Sequence, residues 1–173
     1  VSGGTFEYYD AGIATLTTSD QTIYNNLIFD NSDLTLGLNL TVNGTFTLEN
    51  DSDITIGDDA TARTITWSGN VSVDVTSSII MRTGATLTEH VISVGADFTN
   101  NGSVRFTAQG TPNYTVDPSV GVAIVTFTGA ADNVLTCHGI TDFYRLVVNK
   151  GTDKTFLPTV NSSNTANFAL YGT

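Results

Sequence analysis

Apolar and polar residues alternate with a period of two along almost the whole chain. In "LNLTVNGTFTLEND" (Leu38–Asp51), Leu38, Leu40 and Val42 share one face, and Phe46 and Leu48 resume it after an Asn43-Gly44 corner. The same alternation runs through "DITIGDD" (Asp53–Asp59), "RTITWSGNVSVDV" (Arg63–Val75), "FTNNGSVRFTA" (Phe98–Ala108) and "GVAIVTFTGAAD" (Gly121–Asp132). Period two is the signature of strands, and no segment has the 3.6-residue period of a helix. The predicted strands are short, with corners of Gly, Asn, Asp and Ser between them. Pro112 and Pro118 bracket "PNYTVDP", which reads as a loop between strands.

The pattern also repeats. "LTVNGTFTL" (Leu40–Leu48) matches "FTNNGSVRF" (Phe98–Phe106) in character at every position, with Asn-Gly in the same place, and "WSGNVSVDV" (Trp67–Val75) is a looser copy. At longer range, Gly4–Asn31 aligns with Ala123–Lys150, anchored on Tyr24 and Tyr144, about 120 residues apart. A short strand-and-corner unit cannot bury its own apolar face, so it stacks on a neighbour. The expected fold is all-β, a parallel β-solenoid (β-helix) of about six or seven short coils of roughly 20–26 residues each. An antiparallel β-sandwich or jelly roll is the alternative, because Asn-Gly is also the strongest hairpin signal. A sandwich does not require matching motifs in successive units, which favours the solenoid. Residues 1–141 read as the solenoid module, opening with the end of a preceding-type repeat. Residues 142–173 read as the start of a following repeat or as an inter-subunit strand segment.

Composition sharpens this. Only 13% of the 173 residues are charged, so Thr (30), Asn (15) and Ser (13) must make the polar surface. Thr at that density suits strands, because its branched side chain packs well on a pleated sheet. The net charge of −11, with six Lys and Arg, argues against nucleic acid and against anionic membranes, since no basic footprint exists. No apolar run approaches the length of a membrane span. Cys137 is the only cysteine, so no intrachain disulfide forms.

The segments Tyr24–Phe29, Leu34–Leu36, Leu38–Leu48, Phe98–Phe106, Ile124–Gly129 and Phe143–Val148 stand in the order seen in tandem-module surface proteins of bacteria and archaea. The chain resembles that adhesin-like, surface-structural family over most of residues 5–156. The resemblance implies a β-helical fold and a secreted or cell-surface structural role. Residues 76–97 and 109–119 fit the family pattern poorly.

Candidate chemistry is sparse. His90 and His138 are the only histidines and lie 48 residues apart. Cys137 and His138 are adjacent in a strand, so they face opposite sides and do not share an ion; a buried, apolar role for Cys137 is expected. G-x-S-x-G, P-loop and H-E-x-x-H motifs are absent. Asp51, Asp53 and Asp59 are candidate calcium ligands where corners stack. Tyr8, Tyr9, Trp67 and Tyr114 are candidate sugar-stacking aromatics. Sequons occur at Asn39, Asn43, Asn50, Asn70, Asn101, Asn113 and Asn161 and mark candidate glycosylation sites. The reading is therefore a non-enzymatic rod with no cofactor. It associates head to tail or as tandem modules through Phe143, Tyr144, Leu146, Val148, Phe156, Phe168 and Leu170. The tail Thr165–Thr173 is a candidate donated strand. The competing readings are a carbohydrate-binding or carbohydrate-cleaving β-helix and a phage-fibre segment.

Overall fold

The computed structural model describes residues 3–10, 12, 14–83, 87–108, 121–160 and 168–170. Its strands follow a three-beat repeat. Coil 1 carries β1 (Thr5–Tyr9), β2 (Ala14–Leu16) and β3 (Ile23–Tyr24). Coil 2 carries β4 (Asn26–Asp30), β5 (Asp33–Leu36) and β6 (Leu40–Val42). Coil 3 has β7 (Phe46–Glu49), β8 (Asp53–Ile56) and β9 (Thr64–Trp67); coil 4 has β10 (Val71–Val73), β11 (Ser78–Met81) and β12 (Thr88–Val94). Coil 5 has β13 (Phe98–Asn100), β14 (Ser103–Arg105) and β15 (Gly121–Phe127); coil 6 has β16 (Asn133–Cys137), β17 (Ile140–Phe143) and β18 (Arg145–Val148). Coil 7 begins with β19 (Phe156–Val160) and β20 (Ala169–Leu170).

The first strands of all coils stack into sheet A, the second strands into sheet B and the third strands into sheet C. Every strand pairing is parallel. The chain is a three-sided parallel β-solenoid, and the strands beyond residue 141 continue the same sheets. The coils are unequal. The partners in one inward column of sheet A, Phe6, Leu27, Phe46, Val71, Phe98, Leu135 and Pro158, are 19 to 37 residues apart.

Alternation builds the interior. Along β4 the pattern is Leu27 and Phe29 buried between half-exposed Asn26, Ile28 and Asp30, and β7, β10, β13 and β16 alternate in the same way. Aromatic rings join coil to coil: Tyr8–Phe29 at 5.2 Å, Phe29–Phe46 at 5.8 Å, Phe46–Trp67 at 5.0 Å, Trp67–Phe98 at 6.1 Å, Phe98–Phe127 at 6.5 Å and Phe127–Phe156 at 4.6 Å. A branch runs through Phe106, Phe143 and Phe168. Each fully buried large side chain stabilises the fold by roughly 1.5–3 kcal/mol, and offset ring pairs add to this.

The corners are built of small residues because neighbouring coils touch there through backbone. Where sheet A turns into sheet B, successive coils place Gly12, Ser32, Ser52, Ser77, Gly102 and Gly139 at equivalent positions. Ser32 N–H donates to Ser52 Oγ and Ser52 N–H to Ser77 Oγ, both at 3.1 Å. Ser52 Oγ in turn donates to the carbonyls of Phe29 and Glu49. These three serines are buried, and the Ser52 and Ser77 hydroxyls give the Ser32 and Ser52 N–H groups the acceptors they need at the corner. A Cβ at Gly102 would strike the Ser77 and Asp74 carbonyls, and one at Gly139 the Gly102 carbonyl. Where sheet C turns into sheet A, a Cβ at Gly69 would meet the Gly44 carbonyl, one at Gly95 would come within 2.6 Å of the Ser68 oxygen, and one at Gly129 within 2.8 Å of the Gly95 oxygen.

This geometry corrects two sequence alignments. Leu40–Leu48 turns the corner from sheet C to sheet A, whereas Phe98–Phe106 turns from A to B. The register partner of Leu40–Leu48 is residues 65–73, which overlap the looser copy Trp67–Val75 but are shifted from it by two residues, with Val42 opposite Trp67 and Phe46 opposite Val71. Leu27–Phe29 lies in sheet A, and its long-range match Leu146–Val148 lies in sheet C.

Gly139→Ala is expected to lower stability by about 1–3 kcal/mol in urea unfolding, through forced displacement of the coil beneath. Gly12→Ala, in the same column but with nothing within 4 Å of the new methyl, should stay within about 0.5 kcal/mol of wild type. Equal midpoints for the two variants would refute the stacked-corner account.

Candidate functional site

The two ends of the solenoid differ from its walls. Of thirteen exposed large apolar residues among the described residues, six lie in the first or last coil, Phe6, Tyr9 and Ile23 in one and Leu157, Val160 and Leu170 in the other, and Val147 and Val148 lie on β18 at the edge of sheet C. Among the described residues β1 and β19 each pair on one side only.

Backbone direction at these edges follows from the hydrogen bonds one strand in. Asn26 N–H donates to the Gly4 carbonyl, and Thr5 stands opposite Asn26. Residues along a strand alternate the neighbour they bond, so Thr5, Glu7 and Tyr9 aim their N–H and C=O groups out of the first coil. Asn133 N–H donates to the Thr155 carbonyl, with Phe156 opposite Asn133 and Pro158 opposite Leu135. Phe156, Pro158 and Val160 therefore aim outward from the last coil, and Pro158 brings an acceptor there but no donor.

Of the residues assigned to a junction, Phe143 and Tyr144 are buried core residues, and Leu146, Phe156 and Phe168 are half-buried against the core. Val148 and Leu170 are exposed. Leu170 pairs within its own chain, opposite Phe143; the rest of the Thr165–Thr173 tail, apart from residues 168–170, lies outside the described residues.

The calcium candidates divide between two corners. Asp51 and Asp53 line a shallow hollow with Asp10, Asn31 and Asp33 where sheet A meets sheet B. Asp33 and Asp53 are register partners, so like charges sit about 4.8 Å apart along the stack. Ser78 Oγ donates to Asp53 Oδ1 at 2.5 Å. The backbone here is left-handed at Asp10, Asn31, Asn50 and Asp51, the conformation Asn and Asp tolerate best after Gly. Asp59 is at the corner between sheets B and C, where Arg63 Nη2 donates to Asp58 at 2.5 Å and to Asp59 at 3.0 Å. The Thr61 N–H bonded to Asp59 holds its carboxyl below the usual range. Among the described residues no three His, Cys, Asp or Glu side chains are grouped to hold a metal ion.

That second corner holds a group the sequence reading passed over. His90 is fully buried, and its Nδ1 accepts the Arg63 backbone N–H at 3.0 Å. The proton is then on Nε2, which has no partner among the described residues. The ring lies against Gly57, where a Cβ would come within 2.7 Å of Cε1. Burial, and then the Arg63 and Arg82 charges, pushes the imidazole pKa down to about 4. The available signal was parity: Thr88, His90, Ile92 and Val94 share the inward face of β12.

The other candidates are quickly placed. Cys137 points inward and is fully buried, with its thiol pKa raised by burial. His138 is exposed, and its Nδ1 lies 3.0 Å from Asn101 Oδ1. Trp67 is inside the aromatic ladder, Tyr8 is half-buried with its hydroxyl 3.0 Å from that of Tyr24, and Tyr9 is exposed. Asn39, Asn43, Asn50, Asn70 and Asn101 are all exposed. Asn39 and Asn70 spend their Oδ1 atoms on backbone N–H groups of the next coil, those of Thr64 and Asp97. Tyr114, Asn113 and Asn161 lie outside the described residues. No protein-family model matches the chain, and neither a curated protein nor a solved structure matches it.

Stability should fall as pH drops from 6.5 to 4. In that window the unfolded chain takes up a proton that native His90 refuses, so the native state loses its advantage; above 6.5 neither state binds it. The loss attributable to His90 is on the order of 3 kcal/mol, read as the change in urea midpoint between pH 7 and pH 4.5. His90→Gln should flatten the curve across that window, and an unchanged slope would exclude His90 as its source.

Proposed function

We propose that the chain is a structural module of an extracellular protein, adhesin-like or filament-forming, which acts as a rigid spacer and continues by coil-on-coil contact with tandem modules or with copies of itself. One observation carries the reading: a single aromatic ladder runs from Tyr8 in the first described coil to Phe156 in the last. An interior that is continuous along the axis suits extension. The stack rises by about 4.8 Å per coil, close to 30 Å over the described coils. The acidic, Thr-rich walls fit a surface that stays in water. No helix among the described residues is long and apolar enough to cross a membrane.

The reading predicts no chemistry. A panel of plant, fungal and bacterial polysaccharides should yield no reducing sugar with the purified protein, and the reading frame around this segment should contain further coils of the same three-beat pattern. Polysaccharide cleavage that disappears in Asp33→Asn or Asp53→Asn would replace the spacer by a β-helical hydrolase or lyase. A stable trimer in solution would replace it by a fibre segment.

A further inference from the structure

We infer that the side chains of Lys150 and Asn133 join in an intramolecular amide bond, a covalent staple that closes coil 6 into a ring. The inference is independent of the spacer reading, and both residues lie among the described coils.

The chain has two lysines, Lys150 and Lys154. Lys154 is exposed to water. Lys150 is half-buried at the corner from sheet C to sheet A, where its Nζ donates to the Thr128 carbonyl and to Asn133 Oδ1. Among the described residues no carboxylate pairs with it. A cation drawn out of water without a counter-ion is costly, and here it is seated on a neutral amide. Asn133 is buried at the start of β16, and its Nδ2 donates to the Gly95 carbonyl at 3.3 Å. The amide is thus held by its nitrogen, with its carbonyl turned to the amine.

Backbone fixes both partners. Asn133 donates its N–H to the Thr155 carbonyl at 2.9 Å, and Asn149, next to Lys150, donates to the Phe127 carbonyl at 2.9 Å. β16 is itself paired on both sides, with β13 and β19. Amine and amide are held together before any reaction, the condition under which an intramolecular step gains most.

The step balances without a further reagent. The free amine of Lys150 adds to Asn133 Cγ and forms the Nζ–Cγ bond; the Cγ–Nδ2 bond breaks and its nitrogen leaves as ammonium. Counted from the protonated side chain, two of the three Nζ hydrogens pass to the leaving nitrogen. The one that remains still meets the Thr128 carbonyl. Asp97 is the proton relay: Asn133 Nδ2 and Val134 N–H both face residues 95–97 of coil 5, and Asp97 Oδ1 accepts the Val134 N–H at 2.8 Å. Residues 129–132 beside the pair are exposed and give the ammonium a way out. The product replaces the unpaired cation by a neutral amide and ties the start of coil 6 to its end.

The intact mass of the purified chain in denaturant tests this. A mass one ammonia below that of the sequence is expected. Trypsin does not cut after an acylated lysine, so it should release residues 106–145 joined to residues 146–154. Lys150→Arg keeps the charge and should restore the full mass with an unchanged circular dichroism spectrum. Protein held in urea from the start should stay at full mass, since the pair is then no longer held together. Asp97→Asn keeps an acceptor for the Val134 N–H and should slow formation at least roughly tenfold; an equal rate would strike Asp97 from the step. Full sequence mass in folded wild type after long incubation at about pH 9, where more of a lysine is free amine, overturns the proposal. So does an ammonia loss that persists in Lys150→Arg, the mark of ring closure at Asn43-Gly44 or Asn101-Gly102 and not of a crosslink.

Discussion

The close stacking of one coil on the next governs the rest of this structure. Strands in a parallel sheet sit about 4.8 Å apart, and here all three sides of the coil must keep that spacing at once. The interior then has to be filled in layers of equal height, which flat aromatic rings and branched aliphatic chains do. The corners have to let backbone pass over backbone, which Ser and Gly do. Sequence freedom is left to the outward positions, and Thr and Ser fill many of them: Thr47, Ser72, Thr99, Thr136 and Thr159 form one unbroken outward column on sheet A.

Polar groups that enter the interior obey the same constraint. Asn100 is fully buried in an inward column, yet it donates to the Ile140 carbonyl at 2.7 Å and to Thr141 Oγ1 at 2.9 Å, and accepts from Gly102 N–H at 2.9 Å. It replaces a layer of packing with a bridge between coils 5 and 6. The serine column does the same for backbone at the other coils. Among the described residues the interior atoms Trp67 Nε1 and His90 Nε2 depart from this, each buried without a partner, and burial with the Arg63 and Arg82 charges keeps His90 neutral well below the usual imidazole range.

The fold was legible in the sequence because alternation, corner residues and the absence of helical periodicity all agree. Which side of the coil a segment occupies was not legible. With coils of 19 to 37 residues, spacing does not report the side, and Asn-Gly serves the corner from C to A at Asn43-Gly44 as well as the corner from A to B at Asn101-Gly102. The match between Leu40–Leu48 and Phe98–Phe106 therefore identified a shared local shape and not a shared position. A better guide was present in the small residue just before each strand of sheet B, as in "NSD", "DSD", "SSI" and "NGS". The candidate site was less legible than the fold. The acidic residues were visible, but their division between two corners depends on the three-sided path. The edge role of Pro158 depends on which way its backbone points, which only register reveals.

The hydrogen bonds that join coils lie along the axis of the rod, and this has a mechanical consequence. Compression presses packed layers together and meets the stiffness of the whole interior. Tension applied through the two chain ends loads the outermost strand first, and its bonds open one after another rather than all at once. Each coil that peels away releases 19 to 37 residues of chain, up to about 3.5 Å for each residue when extended. The next coil is then exposed in the same geometry as the one just lost. A stack of coils built this way is stiff at rest and pays out length in steps under load.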